Sequence, residues 1–352
     1  MNYAQELEEL ILTIIKEEGS DIHITVGAFP TVRVNGELIP LLKRKEMTGE
    51  DTAGLLRQMV SERIFTGFVV SQELDFSYDH KGEYRFRGNA FFQKGSIAIA
   101  LRLIPTARNL ADLKLPPQIQ QIARARQGFF LVVGPVGQGK STTLAAMIDQ
   151  INRESRKHII TIEDPIEFVF EHDKSMIDQR EVGIDTPDFS TALTSAFRQD
   201  ADVILIGEMR DRDTIGTAVT AAETGHFVLS TLHTNSASQA VERIIDSFPS
   251  EAQDQIRVQL SSSLLGVFSQ RLLPKVSGGM VPAYELLLNN KAVSNLIRER
   301  RTHEIDVVIE TGSADGMIDF NRCLADLVRR GEVLPDVALE RSKNPALLKR
   351  LF

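Results

Sequence analysis

The chain has 352 residues, 42% of them apolar and 25% charged, with a net charge of −8; such a length predicts two domains, and the acidic balance argues against a dedicated nucleic-acid surface. With Cys323 as the single cysteine there is neither a disulfide within the chain nor a cysteine zinc cluster, and the thiol reads as a small buried hydrophobe. No apolar run approaches the ~18 residues of a membrane span and the acidic N-terminus lacks a basic-then-apolar signal, so cytoplasmic residence is the expectation.

Leu7, Leu10, Ile11, Ile14 and Ile15 make a helical stripe between glutamates, a core-facing helix that Gly19 ends. Residues 21–26 are strand-like, and Asn35-Gly36 between Val32-Arg-Val34 and Leu38-Ile39 signals a hairpin. A second hairpin is expected from residues 73–78 and 83–92 through His80-Lys-Gly82. In its second strand Tyr84 and Phe86 share one face and Arg85 and Arg87 the other. Residues 96–104 form a further strand, which completes a compact α+β domain over 1–104. The prolines of 105–117 mark a linker.

From Gln118 the pattern becomes alternating strands and helices, the mark of a parallel α/β sheet, over 118–290. Strands are expected at 129–133, 158–162, 203–206, 227–232 and 281–287. A helix is expected at Ser250, where Ser250-Glu-Ala-Gln253 reads as a capping box. Residues 291–352 are helical, broken at Gly312, Gly316 and Gly331.

Gly134-Pro-Val-Gly-Gln-Gly-Lys-Ser141 fits G-x-x-x-x-G-K-[ST] at every fixed position. The apolar run 129–133 before it reads as a buried strand, and Leu144, Met147, Ile148 and Ile151 behind it sit at helical spacing. Strand, glycine loop and helix is the arrangement that cradles a polyphosphate on backbone N–H groups. The nucleotide-binding loop is therefore Gly134, Pro135, Val136, Gly137, Gln138, Gly139, Lys140, Ser141 and Thr142. In that motif Lys140 reaches the β- and γ-phosphates of ATP, and Ser141 places a hydroxyl on Mg²⁺.

Three further groups fall at strand ends, where open α/β sheets place their chemistry. Glu163, Asp164 and Glu167 crowd a proline-bent turn, either as acids that polarise water or hold a metal through water, or as a solvated acidic loop. Asp202-Val-Ile-Leu-Ile-Gly-Glu208 is an apolar strand ending in an acid, although Gly207-Glu208 stands where an aspartate is usual. Glu208 suits Mg²⁺ or the attacking water. His226 and His233 bracket the strand 227–232; seven positions apart, they are not the i, i+4 pair of a helical zinc site. His233 suits a γ-phosphate sensor, and each histidine is otherwise a hydrogen-bonded structural residue.

In this order the P-loop, Thr161-Ile-Glu-Asp-Pro-Ile-Glu167, Gly207-Glu-Met-Arg-Asp211, Thr224-Gly-His226 and Thr231-Leu-His-Thr-Asn235 resemble the secretion-superfamily ATPases. More narrowly the chain is similar to the type IV pilus retraction ATPases, the PilT-like branch. Gly19-Ser-Asp-Ile-His23, Tyr84-Arg-Phe-Arg-Gly-Asn89, Gln179-Arg-Glu-Val182 and Glu242-Arg-Ile-Ile-Asp-Ser-Phe-Pro249 carry the same resemblance. So does Ala292-Val-Ser-Asn-Leu-Ile-Arg-Glu299, similar to the branch's Ala-Ile-Arg-Asn-Leu-Ile-Arg-Glu motif but with Ser294 where arginine is usual.

The resemblance implies a PAS-like N-terminal domain, a RecA-like P-loop ATPase domain and C-terminal helices. It places Glu163, Asp164 and Glu167 in an Asp box, with Glu167 favoured to activate water, Glu208 in an atypical Walker B element, and both histidines in a His box. It also implies a homohexamer in which Arg85, Arg87 and Arg102 reach nucleotide on a neighbouring subunit. The motor so implied uses ATP and Mg²⁺, binds no nucleic acid, and docks on an inner-membrane pilus platform protein to power retraction. The four-cysteine insertion and longer N-terminal region usual in pilus-extension and type II secretion ATPases are not expected here. A principal motor, an accessory paralogue in another motor's ring and a nucleic-acid-dependent RecA-like ATPase all remain open at this stage.

Overall fold

A computed structural model describes residues 2–34 and 36–352. Asn35 of the expected hairpin turn lies outside the described residues. The chain divides into two compact units at Thr106/Ala107, each with its own core.

In the N-terminal unit α1 (Tyr3–Lys16) precedes β1 (Asp21–Ile24), β2 (Thr31–Val34) and β3 (Glu37–Pro40). Then come α2 (Gly49–Met59), α3 (Glu62–Ser71), β4 (Glu73–His80), β5 (Tyr84–Gln93) and β6 (Ser96–Ile104). The six strands form one antiparallel sheet in the order β3-β2-β1-β6-β5-β4. Leu7, Leu10, Ile11 and Ile14 of α1 are buried with Ile22, Phe86 and Leu101 of the sheet. The helices α2 and α3 have no counterpart in the sequence reading. Their starts are nonetheless capped in the usual way, α2 by a reciprocal Thr48/Asp51 box and α3 by Ser61.

The second unit opens with α4 (Pro117–Ala123), β7 (Gly128–Val133), α5 (Lys140–Glu154), β8 (His158–Glu163) and β9 (Met176–Glu181). It continues through α6 (Phe189–Ala196), β10 (Val203–Ile206), α7 (Arg212–Glu223), β11 (Phe227–Leu232), α8 (Ala237–Asp246) and α9 (Ser250–Ser263). It ends with β12 (Leu264–Pro274), β13 (Met280–Leu288), α10 (Lys291–Arg298), α11 (Ile305–Thr311), α12 (Phe320–Arg329), α13 (Pro335–Arg341) and α14 (Pro345–Leu348). Its seven-stranded sheet runs β13-β12-β7-β11-β10-β8-β9. The central strands β7 and β11 are buried along their whole length, as befits a sheet covered on both faces. The proline-rich stretch before α4 contributes Leu110 to this unit's core, beside Ile119 and Phe130.

Three expectations need correction. The sheet is not wholly parallel: β13 runs antiparallel to β12, because the short connection at Gly278 and Gly279, both at positive φ, can only return a hairpin. The strand β12 itself, and the polar edge strand β9, were not expected. Helix α9 starts at Ser250, but Pro249 occupies the cap and no side chain caps it. Gln253 instead donates to the Phe248 carbonyl at 3.1 Å.

Helix α10 buries Val293, Leu296 and Ile297 and leaves Ala292 exposed. Ser294 is turned inward, its hydroxyl donating to the Ser261 carbonyl at the end of α9 at 2.9 Å. Leu296→Ala should therefore cost ~2–5 kcal/mol, the range for truncating a buried leucine. Exposed Arg298→Ala should cost no more than ~0.5 kcal/mol. Thermal unfolding of the two purified variants checks this contrast; equal losses would place Leu296 outside the core.

Candidate nucleotide site

The loop between β7 and α5 is shaped by three glycines in the left-handed region, Gly134 (φ +147°), Gly137 (+76°) and Gly139 (+79°). Two of them also clear the same neighbour. A Cβ on Gly134 would lie 2.4 Å from the Gln270 carbonyl oxygen, and one on Gly139 would lie 2.9 Å from Gln270 Nε2. Gly139 caps α5 without a side chain, so the first-turn N–H groups, with the positive end of the helix dipole, suit an anionic ligand. Ser141 and Thr142 are half-buried in that turn, and Val136 is exposed at the loop tip.

Lys140 is buried, and its Nζ donates to the Gly134 and Pro135 carbonyls at 2.9 Å each. Burial pushes its pKa down, while the charges of Glu167 and Glu208 pull it up. Parallel pairing brings the C-terminal ends of β7, β8, β10 and β11 to one edge of the sheet. His233, just past β11, places Nδ1 3.5 Å from Lys140 Nζ and Nε2 3.6 Å from Glu208 Oε2. Glu208, just past β10, also pairs with exposed Arg210. Lysine, histidine, carboxylate and arginine thus form one polar chain across three strand ends.

The acidic turn after β8 separates its carboxylates. Glu163 is buried and accepts from Thr161 Oγ1 at 2.6 Å, Gln179 Nε2 at 3.3 Å and the Glu167 N–H at 3.4 Å. Burial nonetheless pushes its carboxyl up. Asp164 and Glu167 are exposed. Gln179 of β9 closes the turn, donating to the Phe168 carbonyl at 2.8 Å and accepting from the Phe170 N–H at 3.0 Å.

Not every expected site residue is gathered here. His226 precedes β11, and its carbonyl accepts the Gly128 N–H at the start of β7, so it lies at the opposite edge of the sheet from the loop. A six-residue strand is roughly 20 Å long. There His226 Nδ1 sits 3.0 Å from the Ala221 carbonyl and the ring packs edge-on against Phe197. Within one chain the two histidines do not serve one site.

Arg85, Arg87 and Arg102 belong to the N-terminal unit. Arg87 and Arg102 are exposed and directly paired across β5 and β6, and Arg85 shares the Arg87 face of its strand. Arg102 donates to Asp21 at 2.8 Å. Burial opposes ionisation of Asp21, but hydrogen bonds from Ser20 and Arg102 hold its carboxyl below the usual range.

The sequence reading did not single out Gln270, Gln179 or Arg210 for a role. Gln179 and Arg210 lie inside recognised motifs, but nothing local marks Gln270. Among the described residues there is no cluster of three or more metal-ligating side chains. The Ser141 hydroxyl and Glu208 carboxylate fit a hard cation such as Mg²⁺, which takes most of its ligands from phosphate and water.

Residues 3–304 match the type II/IV secretion system protein family. The chain is 41% identical to the type IV pilus retraction ATPase PilT of Pseudomonas aeruginosa over 345 residues, 97% of this chain and 99% of that one. It is 45% identical to a twitching motility protein of Neisseria gonorrhoeae over 317 residues, 90% and 84% of the two chains. A crystal structure of the pilus retraction motor PilT with bound ADP superposes with a TM-score of 0.90 at 45% identity, covering 97% of this chain and 98% of that one. With a family match over residues 3–304 and similarity in sequence and fold over nearly the whole length, the chain belongs to the type II/IV secretion system protein family.

Proposed function

We propose that the chain is an ATP-hydrolysing motor that powers retraction of type IV pili. The observation that carries the chemical part is the contact chain from Lys140 through His233 to Glu208 at the strand ends. The mechanical part rests on likeness to retraction motors over nearly the whole length.

ATP enters the loop with its phosphates toward the amides that open α5. Lys140 exchanges two neutral carbonyl acceptors for anionic phosphate oxygens, a gain because charge-assisted bonds are the stronger. Ser141 and Glu208 would hold the Mg²⁺ that accompanies ATP, and that ion would supply charge neutralisation to the phosphates. Glu167, exposed and close enough to bias Lys140, orients the attacking water and takes its proton. Glu163, buried with its carboxyl pushed up, braces the turn that presents Glu167. His233 touches both Lys140 and Glu208, so a γ-phosphate that draws Lys140 away also frees His233. No covalent intermediate is needed, since positioning and charge stabilisation suffice.

Completion of the site from a second subunit explains why the exposed Arg87 and Arg102 sit on the N-terminal unit. In a homohexamer one of these arginines, or Arg85, stabilises charge on the transferring phosphoryl group of a neighbour. That arrangement ties hydrolysis to subunit motion. The ring works in the cytoplasm, docked on the inner-membrane platform protein of the pilus machinery, with no nucleic acid involved.

The test is ATP turnover of the purified chain beside its mass in solution, with and without DNA. A hexamer whose turnover DNA leaves unchanged is expected; a monomer stimulated by DNA would overturn the reading. Arg102→Ala and Glu208→Gln should each be inactive alone and recover part of the activity when mixed, because some interfaces then join an intact acid to an intact arginine. Arg87→Ala and Arg85→Ala are crossed in the same way. Absence of rescue from every cross, in mixed hexamers verified by mass, would remove the shared site.

A further inference from the structure

We infer that Gln270 is a positioning residue for the nucleotide phosphates, and that it and Gln138 form a reciprocal clamp holding the P-loop in its binding shape. This rests on the nucleotide reading of the loop. Gln270 lies on β12, 3% exposed, with every polar atom of its side chain engaged on the loop side. Its Oε1 accepts from Thr143 Oγ1 in the first turn of α5 at 2.7 Å, and its Nε2 donates to the Gln138 carbonyl at 2.9 Å. Gln138 returns the contact: its Oε1 accepts the Leu272 N–H of the same strand at 2.8 Å.

The side chain of this loop residue is therefore turned back onto β12 rather than toward a ligand. A trans peptide points its C=O and N–H in opposite directions. Pinning the Gln138 carbonyl onto Gln270 therefore aims the Gly139 N–H away from β12. That N–H belongs to the Gln138–Gly139 peptide, one peptide ahead of the one that leads into Lys140 and the opening of α5. A loop free to rotate that peptide would present a carbonyl, which repels phosphate, where an amide is needed. The closeness of Gly139 to the Gln270 amide has the same cause, whereas Gly134 meets the backbone carbonyl of that position: the loop is moulded on β12 at both points. Thr143, 1% exposed, fixes the other end of the Gln270 amide, so the clamp has one orientation.

The experiment measures Kd for ADP, KM and kcat for ATP, and the nucleotide-free melting temperature of the purified full-length chain. Gln270→Leu keeps comparable bulk, one bond shorter, without polar atoms. Gln270→Glu keeps the acceptor for Thr143 but cannot donate to the Gln138 carbonyl. Both should weaken ADP binding at least about fivefold, the scale of one lost hydrogen bond to a buried group. The change in KM should exceed the change in kcat. Gln138→Ala should weaken ADP binding about threefold or more, and combining it with Gln270→Leu should add little, since both act on one clamp.

A folded Gln270→Leu or Gln270→Glu that binds ADP less than fivefold more weakly than wild type overturns the inference. So does a loss that falls on kcat alone. If neither Gln270 variant folds, Gln138→Ala decides: a threefold or greater loss supports the clamp, and a smaller one overturns it. Wild-type protein that binds no ADP would instead overturn the nucleotide reading beneath it.

Discussion

Lys140→Ala should abolish ATP hydrolysis and weaken ATP binding by at least ~10²-fold, from loss of two charge-assisted contacts worth about 1.5–3 kcal/mol each. The lysine is buried, and its ammonium donates to the Gly134 and Pro135 carbonyls and lies 3.5 Å from His233 Nδ1. Burial already lowers its pKa, so the charged form is held at a cost that the nearby Glu167 and Glu208 offset in part. Removing the cation relieves that cost, and the fold should survive with a nucleotide-free melting temperature close to wild type. Binding is read by titration with ATP and ADP, and turnover by phosphate release. Wild-type turnover in a folded Lys140→Ala protein would mean that the phosphates bind elsewhere.

Glu208→Gln should separate binding from chemistry. The substitution keeps size and removes charge, so nucleotide should still bind while hydrolysis falls at least ~10²-fold, the scale of a lost acid–base group. Its partners are the exposed Arg210 and the half-exposed His233, so stability should change by no more than about 1 kcal/mol, as for surface ion pairs. Glu167→Gln should behave likewise. Glu163→Gln should differ, because that carboxyl faces Thr161, Gln179 and the Glu167 N–H rather than solvent. An amide in its place should disturb the turn, with a smaller loss of turnover and a larger loss of stability. Single-turnover rates and melting curves of the three variants settle the ranking. A silent Glu167→Gln beside an inactive Glu163→Gln would exchange their roles.

Much of the fold was legible locally. The apolar run 129–133, the glycine loop and the helix behind it became β7, the loop and α5 as read, because strand burial, glycine conformation and helical spacing are short-range properties. The same holds for the hairpin of β4 and β5 and the strand β6. Helices α2 and α3 escaped because only Leu55, Leu56, Met59, Phe65 and Phe68 of them strongly engage the core, too few for a clear stripe. Strand β9 escaped because a half-exposed edge strand such as Met-Ile-Asp-Gln-Arg-Glu carries little apolar alternation.

By itself, then, the sequence determined the glycine-rich loop between strand and helix, its lysine and serine, and the acids and histidine that follow neighbouring strands, since each motif is contiguous. Only the tertiary structure decided which of these meet. His226 and His233 look equivalent as a pair around one strand, yet parallel pairing sends them to opposite edges of the sheet. Of the three clustered carboxylates, packing buries Glu163 and leaves Glu167 in the open. Gln270 lies 132 positions from the Gln138 carbonyl it holds, and a Cβ on Gly139 would collide with its amide. No local pattern encodes such a pairing, because it arises when β12 docks beside β7 and brings a distant side chain under the loop.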